Sequence, residues 1–311
     1  MEVQEMNINL IGVPLFLGCD KPGVEKGPDV LRENNILSIF KSHGHDIYDL
    51  GNLYVPSFEI NNKFCDHNNM KYLSQIVGVN TNLAHLVYSS LKSDSLPLVI
   101  GGDHSLGLGS LSGVSRQFGD DLGVIWVDAH GDINTFETSP TGNVHGMPLS
   151  AAMGLGHEDL TNLYFHGIKV KPENVFILGA RDLDEGELEI IENHSLNVWT
   201  TNDIKEKGIN NVCSELKAAI KKSSIKNIHL SFDIDSLDSD LVPGTGTPVD
   251  QGLDIEEVKK ILQDIFSLNI IRSMDFVEFN PIIDKDDTTL KNCMNMLDFI
   301  ALNLKSSNDK L

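Results

Sequence analysis

Short, nearly unbroken apolar runs alternate with longer stretches of helical periodicity along almost the whole chain. Six runs, Ile8–Val13, Pro97–Ile100, Leu122–Val127, Asn174–Leu178, Ile228–Phe232 and Ile270–Val277, are four to eight residues long. Their near-continuous hydrophobicity is that of strands buried on both faces. Between and after them, Asn69–Lys92, Glu185–Asn193, Asn211–Lys222, Ile255–Leu268 and Thr288–Leu304 read as helices. Asp254 stands directly before one of these, where an N-cap belongs. The alternation predicts an α/β fold with a mostly parallel sheet and helices on both faces, a three-layer arrangement. No Pro/Ser-rich linker, repeat or low-complexity block divides the chain, so residues 1–311 are read as one domain.

Composition narrows the function. The chain carries 24 Lys+Arg against 45 Asp+Glu, a net charge of −21 with histidines neutral. A pI near 4.7 argues against nucleic acid, whose phosphates require an excess of basic residues on some face. A cationic small molecule or a metal ion suits an acidic field better. The opening Met1–Glu5 is acidic where a secretory leader would be basic, and no apolar run approaches the roughly 20 residues of a membrane span. Cys19, Cys65, Cys213 and Cys293 lie far apart and fit neither a disulfide framework nor a zinc knuckle. The expectation is a cytoplasmic protein with reduced thiols and no membrane partner.

Ligands of open α/β sheets bind at the carboxyl ends of strands, so the residues that follow each apolar run carry the chemistry. Gly101-Gly102-Asp103-His104-Ser105 follows the second run, Asp128-Ala129-His130-Gly131-Asp132 the third, Asp233-Ile234-Asp235 the fifth and Glu278 the sixth. Asp128, His130 and Asp132 stand at i, i+2, i+4, which in an extended segment puts their side chains on one face, and Asp233 and Asp235 repeat the spacing. So many carboxylates at one rim repel unless something cationic joins them. A pair of divalent ions meets that need, and a set rich in oxygens, with few imidazoles and no thiolate, suits Mn²⁺ better than a structural zinc. Asp103, Asp238 and Asp240 are read more plainly, as caps or loop acceptors. A competing outline exists in Gly107-Leu108-Gly109, with Asp128 at the end of the following strand, which sketches a dinucleotide site. Ser112 at the third glycine position, and Asp103 and His104 crowding the phosphates, speak against it.

Gly102–Ser105, Asp128-Ala129-His130-Gly131-Asp132-Ile133-Asn134 and Ser231-Phe232-Asp233-Ile234-Asp235 resemble the three signature motifs of the ureohydrolases, the arginase/agmatinase family. The resemblance runs from Gly23-Val24-Glu25-Lys26-Gly27-Pro28 to Glu278-Phe279-Asn280-Pro281, and Thr141–Gly146 and Arg181–Glu187 look most like the arginase branch. It implies one three-layer α/β/α domain around an eight-stranded parallel sheet, two Mn²⁺ per subunit, and a homo-oligomer, a trimer or hexamer. One ion would be held by His104, Asp128, Asp132 and Asp233, the other by His130, Asp128, Asp233 and Asp235, with a hydroxide bridging them and aimed by Asp132.

By the same resemblance Glu278 orients the guanidinium and His145 shuttles a proton near neutral pH. Asn134 and Thr141 would take an α-carboxylate, Asp184 an α-ammonium, assisted through water by Asp182 and Glu187. Thr247 would reach the guanidinium. The implied reaction is hydrolysis of L-arginine to urea and L-ornithine. The alternatives are an agmatinase or another guanidino or formimino amidinohydrolase, and a silent member that binds metal and amino acid without turnover. Thr141 departs from a frequent serine, and Ser236 and Ser239 from a frequent glycine and proline, which bears on local loop shape. The remaining histidines, His43, His45, His67, His85, His157, His166, His194 and His229, are read as solvent-facing.

Overall fold

The computed structural model describes residues 6–57 and 63–305; the acidic opening Met1–Glu5 lies outside them. Eight strands form one sheet: β1 (Asn7–Val13), β2 (Asp46–Asn52), β3 (Leu96–Gly101), β4 (Leu122–Val127), β5 (Val175–Leu178), β6 (Asn197–Trp199), β7 (Asn227–Asp233) and β8 (Ile271–Val277). Their order is β2-β1-β3-β8-β7-β4-β5-β6, and every pairing is parallel. All six expected strands form, within a residue or so of their bounds, and the α/β architecture is as read. The sequence reading passed over β2 and β6. Both are edge strands, and β2 alternates exposed and covered positions, so neither carries the continuous apolar run of a doubly covered strand.

Two apolar layers cover the sheet. One packs the helices Gly27–Glu33, Ile36–Ser42, Ile209–Ser223, Ile255–Phe266 and Thr288–Asn303 on one face. The other packs Leu73–Lys92, Gly107–Phe118 and Pro148–Ala152 on the opposite face. Leu73–Lys92 buries Leu73, Ile76, Val79, Leu83, Val87 and Leu91 at helical spacing. Asp254 caps Ile255–Phe266: its carboxylate accepts from Glu257 N at 2.8 Å while Glu257 accepts from Asp254 N at 2.9 Å, a reciprocal box.

The glycines that sketched a dinucleotide site have another use. Gly107–Phe118 is a helix rich in Gly and Ser, and it lies against Leu73–Lys92. A Cβ on Gly109 would sit 2.7 Å from the Asn80 carbonyl oxygen, and one on Gly113 2.6 Å from that of Ala84. The two helix backbones approach so closely that only hydrogen fits. Among the described residues, no helix is long and apolar enough to cross a membrane.

Candidate metal centre and substrate cavity

The strand order decides the site. β3, β8, β7 and β4 are adjacent at the centre of the sheet, and their carboxyl ends deliver His104, Glu278, Asp233 and Asp128 to one place. The parallel pairing Val127↔Phe232 and Asp233↔Val277 aligns the ends of three of these strands. The residues beyond them are not extended. Asp132 has a left-handed backbone (φ 52°), and Asp235 belongs to a single 3-10 turn, Ile234–Ser236. The carboxylates and imidazoles therefore converge by turns just past the strands, not by sharing the face of an extended segment. Asp233 closes its own turn by accepting from Asp235 N at 2.8 Å.

Two groups of potential ligands result: His104, Asp128 and Asp132, and Asp128, His130 and Asp235. Asp128 is common to both. One of its oxygens lies 2.8 Å from His104 Nδ1; the other accepts from His130 N at 2.7 Å and lies 3.3 Å from His130 Nδ1. Around His104 Nδ1, Asp132 Oδ2 stands at 3.0 Å and Asp233 Oδ2 at 3.1 Å. Asp235 Oδ2 is 3.3 Å from His130 Nδ1. His104 Nε2 faces Ser231 Oγ at 2.7 Å, which directs Nδ1 at the carboxylates, and its ring stacks on Trp126 at 4.0 Å. Trp126 in turn donates Nε1–H to Asp128 at 3.0 Å.

The donor set fits divalent cations. His104 Nδ1 and Asp132 Oδ2 are buried yet hydrogen-bonded to nothing, although oxygens and nitrogen lie within contact distance. Lone pairs crowded on a point without hydrogen-bond geometry are what a cation relieves. The electrostatics agree. Burial, with the charge of Asp128, pushes Asp132 up to about 6. Burial with Asp235 and Asp128 pushes Asp233 well above the usual carboxylate range. The carboxylates outweigh the burial penalty at His104 and His130 and raise both.

Glu278 closes the floor. It too has a left-handed backbone (φ 67°). One oxygen accepts from His104 N at 2.8 Å and lies 3.3 Å from His145 Nδ1, while Oε2 is buried and without a partner. Burial disfavours the charged His145 imidazole, but pairing with Glu278 outweighs it and raises the group.

Above the floor opens a cavity of about 250 Å³, lined by residues that include Asn134, Thr141, His145, Asp182, Asp184 and Thr247. It therefore gathers the positions expected to meet the α-amino-acid end, together with His145 and Thr247, while Glu278 lies buried beneath it and is not part of the lining. Asn134 donates to Asp184 at 2.8 Å, and Thr247 donates to Asp235 at 3.3 Å. Glu187 also lines the cavity, but its carboxylate accepts from Ile133 N at 3.1 Å and Asp184 N at 3.0 Å. It braces the rim from inside a capping box.

Some participants have no role in the sequence reading, even where they stand inside its motifs. Ser231 and Trp126 each precede a candidate ligand by two residues, and that period-2 spacing could have found them. Arg181 spends its guanidinium on backbone carbonyls, among them those of Asp235 at 2.8 Å, Leu237 at 3.0 Å and Val249 at 2.8 Å, pinning the loop that carries Asp235 and Thr247. Ser139 and Asn143 join the lining. Asp103 is the loop acceptor it was read to be, taking Gly18 N at 2.8 Å and Ser105 N at 3.0 Å. Two histidines read as solvent-facing are instead buried. His229 lies between Ser273 and Asp275 inside the sheet, and His45 meets the Ala301 carbonyl at 2.8 Å.

The model of the arginase family matches residues 6–301. An arginase of Brevibacillus brevis is 42% identical over 285 residues, which is 92% of this chain and 94% of the relative. An arginase of Bacillus subtilis is 39% identical over 294 residues, 94% of this chain and 97% of its own. Among solved structures, an arginase from Bacillus subtilis superposes with a TM-score of 0.89 at 38% identity, covering 97% of this chain and all of the other. An Entamoeba histolytica arginase in complex with L-ornithine gives 0.88 at 32% identity, covering 97% and 99%.

Proposed function

The chain belongs to the arginase family, and from that premise we propose that it hydrolyses L-arginine to urea and L-ornithine with two Mn²⁺ held at the strand ends. It is an enzyme acting on the guanidino group. His104, Asp128, Asp132 and Asp233 would hold one ion, and His130, Asp128, Asp233 and Asp235 the other. What a divalent pair supplies when bound is hydroxide at neutral pH.

The chain's own groups do the rest. Glu278 Oε2, buried and unpartnered, pairs with the guanidinium and holds its carbon over the floor. Asp132 accepts a hydrogen bond from the attacking hydroxide and aims it. Once the tetrahedral carbon forms, His145 delivers a proton to the leaving δ-nitrogen of ornithine, Asp132 takes the proton of the added hydroxyl, and the C–N bond breaks to release neutral urea. Pairing with Glu278 keeps more of His145 protonated at neutral pH, as an acid requires. Asn134 and Thr141 receive the α-carboxylate, Asp184 and Asp182 the α-ammonium.

The observation that supports arginine over simpler guanidino compounds is the rim: one cavity presents the Asn134 amide and the Thr141 hydroxyl beside the carboxylates of Asp182 and Asp184. The test is urea release by chelated and Mn²⁺-reloaded protein with L-arginine and agmatine side by side. Urea from L-arginine, appearing only after reloading, is the expected result. Urea mainly from agmatine would keep the chemistry and remove the substrate assignment.

A further inference from the structure

The cavity has an electrostatic imbalance. Away from the candidate metal ligands its lining carries the carboxylates of Asp182 and Asp184 and, among the described residues, no lysine or arginine. Such a rim attracts an ammonium and repels a carboxylate, so an amino-acid substrate needs a compensating cation nearby. One stands a single layer behind. Lys71, whose side chain is 14% exposed, donates Nζ–H to Asn143 Oδ1 at 2.7 Å and lies 2.9 Å from Asp20. Lys63 contacts the same Asp20 at 2.9 Å, and Tyr72 donates its hydroxyl there at 3.3 Å. Two lysines on one aspartate leave an excess positive charge beside the Thr141–Asn143 turn.

The contact also sets hydrogen bonds. A lysine can only donate, so Asn143 must present Oδ1 to it, and Nδ2 then donates to the Cys19 carbonyl at 3.2 Å. With its side chain fixed at both ends, Asn143 holds its backbone N–H on Thr141 Oγ1 at 3.2 Å. Thr141 Oγ1 accepts that bond and keeps its own proton free to donate into the cavity. Lys71 N adds a bond to the Gly142 carbonyl at 2.9 Å, tying the same turn down from the other side.

We propose that Lys71 is a specificity-determining positioning residue: it orients Asn143 and Thr141 toward the α-carboxylate of an amino-acid substrate and supplies the positive field that offsets the acidic lining there. The role rests on the arginine reading above. It is separable from that reading by comparing two ligands that differ only in the carboxylate, L-ornithine and 1,4-diaminobutane, titrated calorimetrically into Mn²⁺-loaded protein. Lys71→Met is expected to weaken L-ornithine about tenfold, as loss of a charge-assisted contact does, and to leave 1,4-diaminobutane within about twofold. KM for L-arginine should rise in step with kcat nearly unchanged, and Lys71→Arg should restore most of the preference.

Asp20→Asn gives the opposite sign and does not depend on Lys71→Met folding. Asp20 sits at φ 54°, a conformation asparagine accepts, and its removal unmasks the lysines, so L-ornithine should tighten about threefold against 1,4-diaminobutane. Equal weakening of both ligands by Lys71→Met, or no tightening by Asp20→Asn, overturns the role of Lys71. Equal affinity of the unsubstituted protein for the two ligands overturns the arginine reading itself.

Discussion

The floor and the rim of the cavity are built on different principles. The floor hangs from the ends of four adjacent buried strands. Its groups are almost wholly covered: Asp128, Asp233, Asp235 and Glu278 are each 2% exposed or less. Each also has a second contact that fixes its direction, as Ser231 does for His104. The rim is made of loops and of the start of one helix, Glu185–His194. It is held by capping bonds and single side-chain contacts, with Asp182 open to solvent. A buried, cross-braced cluster keeps like carboxylates together when cations join them or protons neutralise them, whereas a solvated rim can change residues at modest cost. On the proposed function, the floor would determine whether chemistry occurs and the rim on what.

The largest test of that division is Asp128→Ala. Because Asp128 serves both ligand groups, the change should abolish loading of both ions and lower urea release by at least about 10³-fold. Metal analysis of dialysed protein beside the assay checks it. Retention of two tightly held ions would show that the cluster is not organised around this carboxylate.

At the rim the effect should be smaller and differently distributed. Thr141→Val keeps shape and loses one hydroxyl donor, so KM for L-arginine should rise about tenfold while kcat stays within about threefold. Steady-state kinetics separate the two. A collapse of kcat with KM unchanged would move Thr141 from recognition to catalysis.

The smallest effect concerns Glu187, which touches both regions. Burial pushes it up from 4.5 to about 7, so the folded chain keeps a proton that the unfolded chain has already released. Native protein then binds more protons than unfolded across pH 4.5 to 7, and stability falls as pH rises through that window. Glu187→Gln should remove on the order of 1–3 kcal/mol of that fall, summed across the window. Denaturant unfolding of chelated protein and variant at several pH values measures it, chelation removing the pH dependence of metal binding. Parallel slopes would place Glu187 in a more solvated setting.

Much of this was legible in residue order, and for local reasons. A strand covered on both faces must be apolar throughout, so β4 was readable to the residue, whereas the thinly covered edges β2 and β6 leave no such trace. The candidate ligands were equally plain, because a cluster of carboxylates and imidazoles after strands has few uses but cations. Their geometry was not: spacing suggested an extended face, while the backbone at Asp132 and Glu278 turns left-handed. The histidines show the same limit from the other side. His229 and His45 carry no local sign of burial, since what buries them is Asp275 and Ala301, remote in sequence.

Sequence by itself determined the strand and helix alternation, the acidic character, and the set of groups able to hold metal. Each of these is a property of a residue and its immediate neighbours. Tertiary structure decided which strands lie side by side, and so brought residues 104, 128, 233 and 278 together. It also decided that Gly109 and Gly113 serve helix contact, and that Lys71 stands behind Asn143. Hydrophobic periodicity records whether a position is covered but not by what; the partner is chosen only when the whole sheet and its crossovers pack.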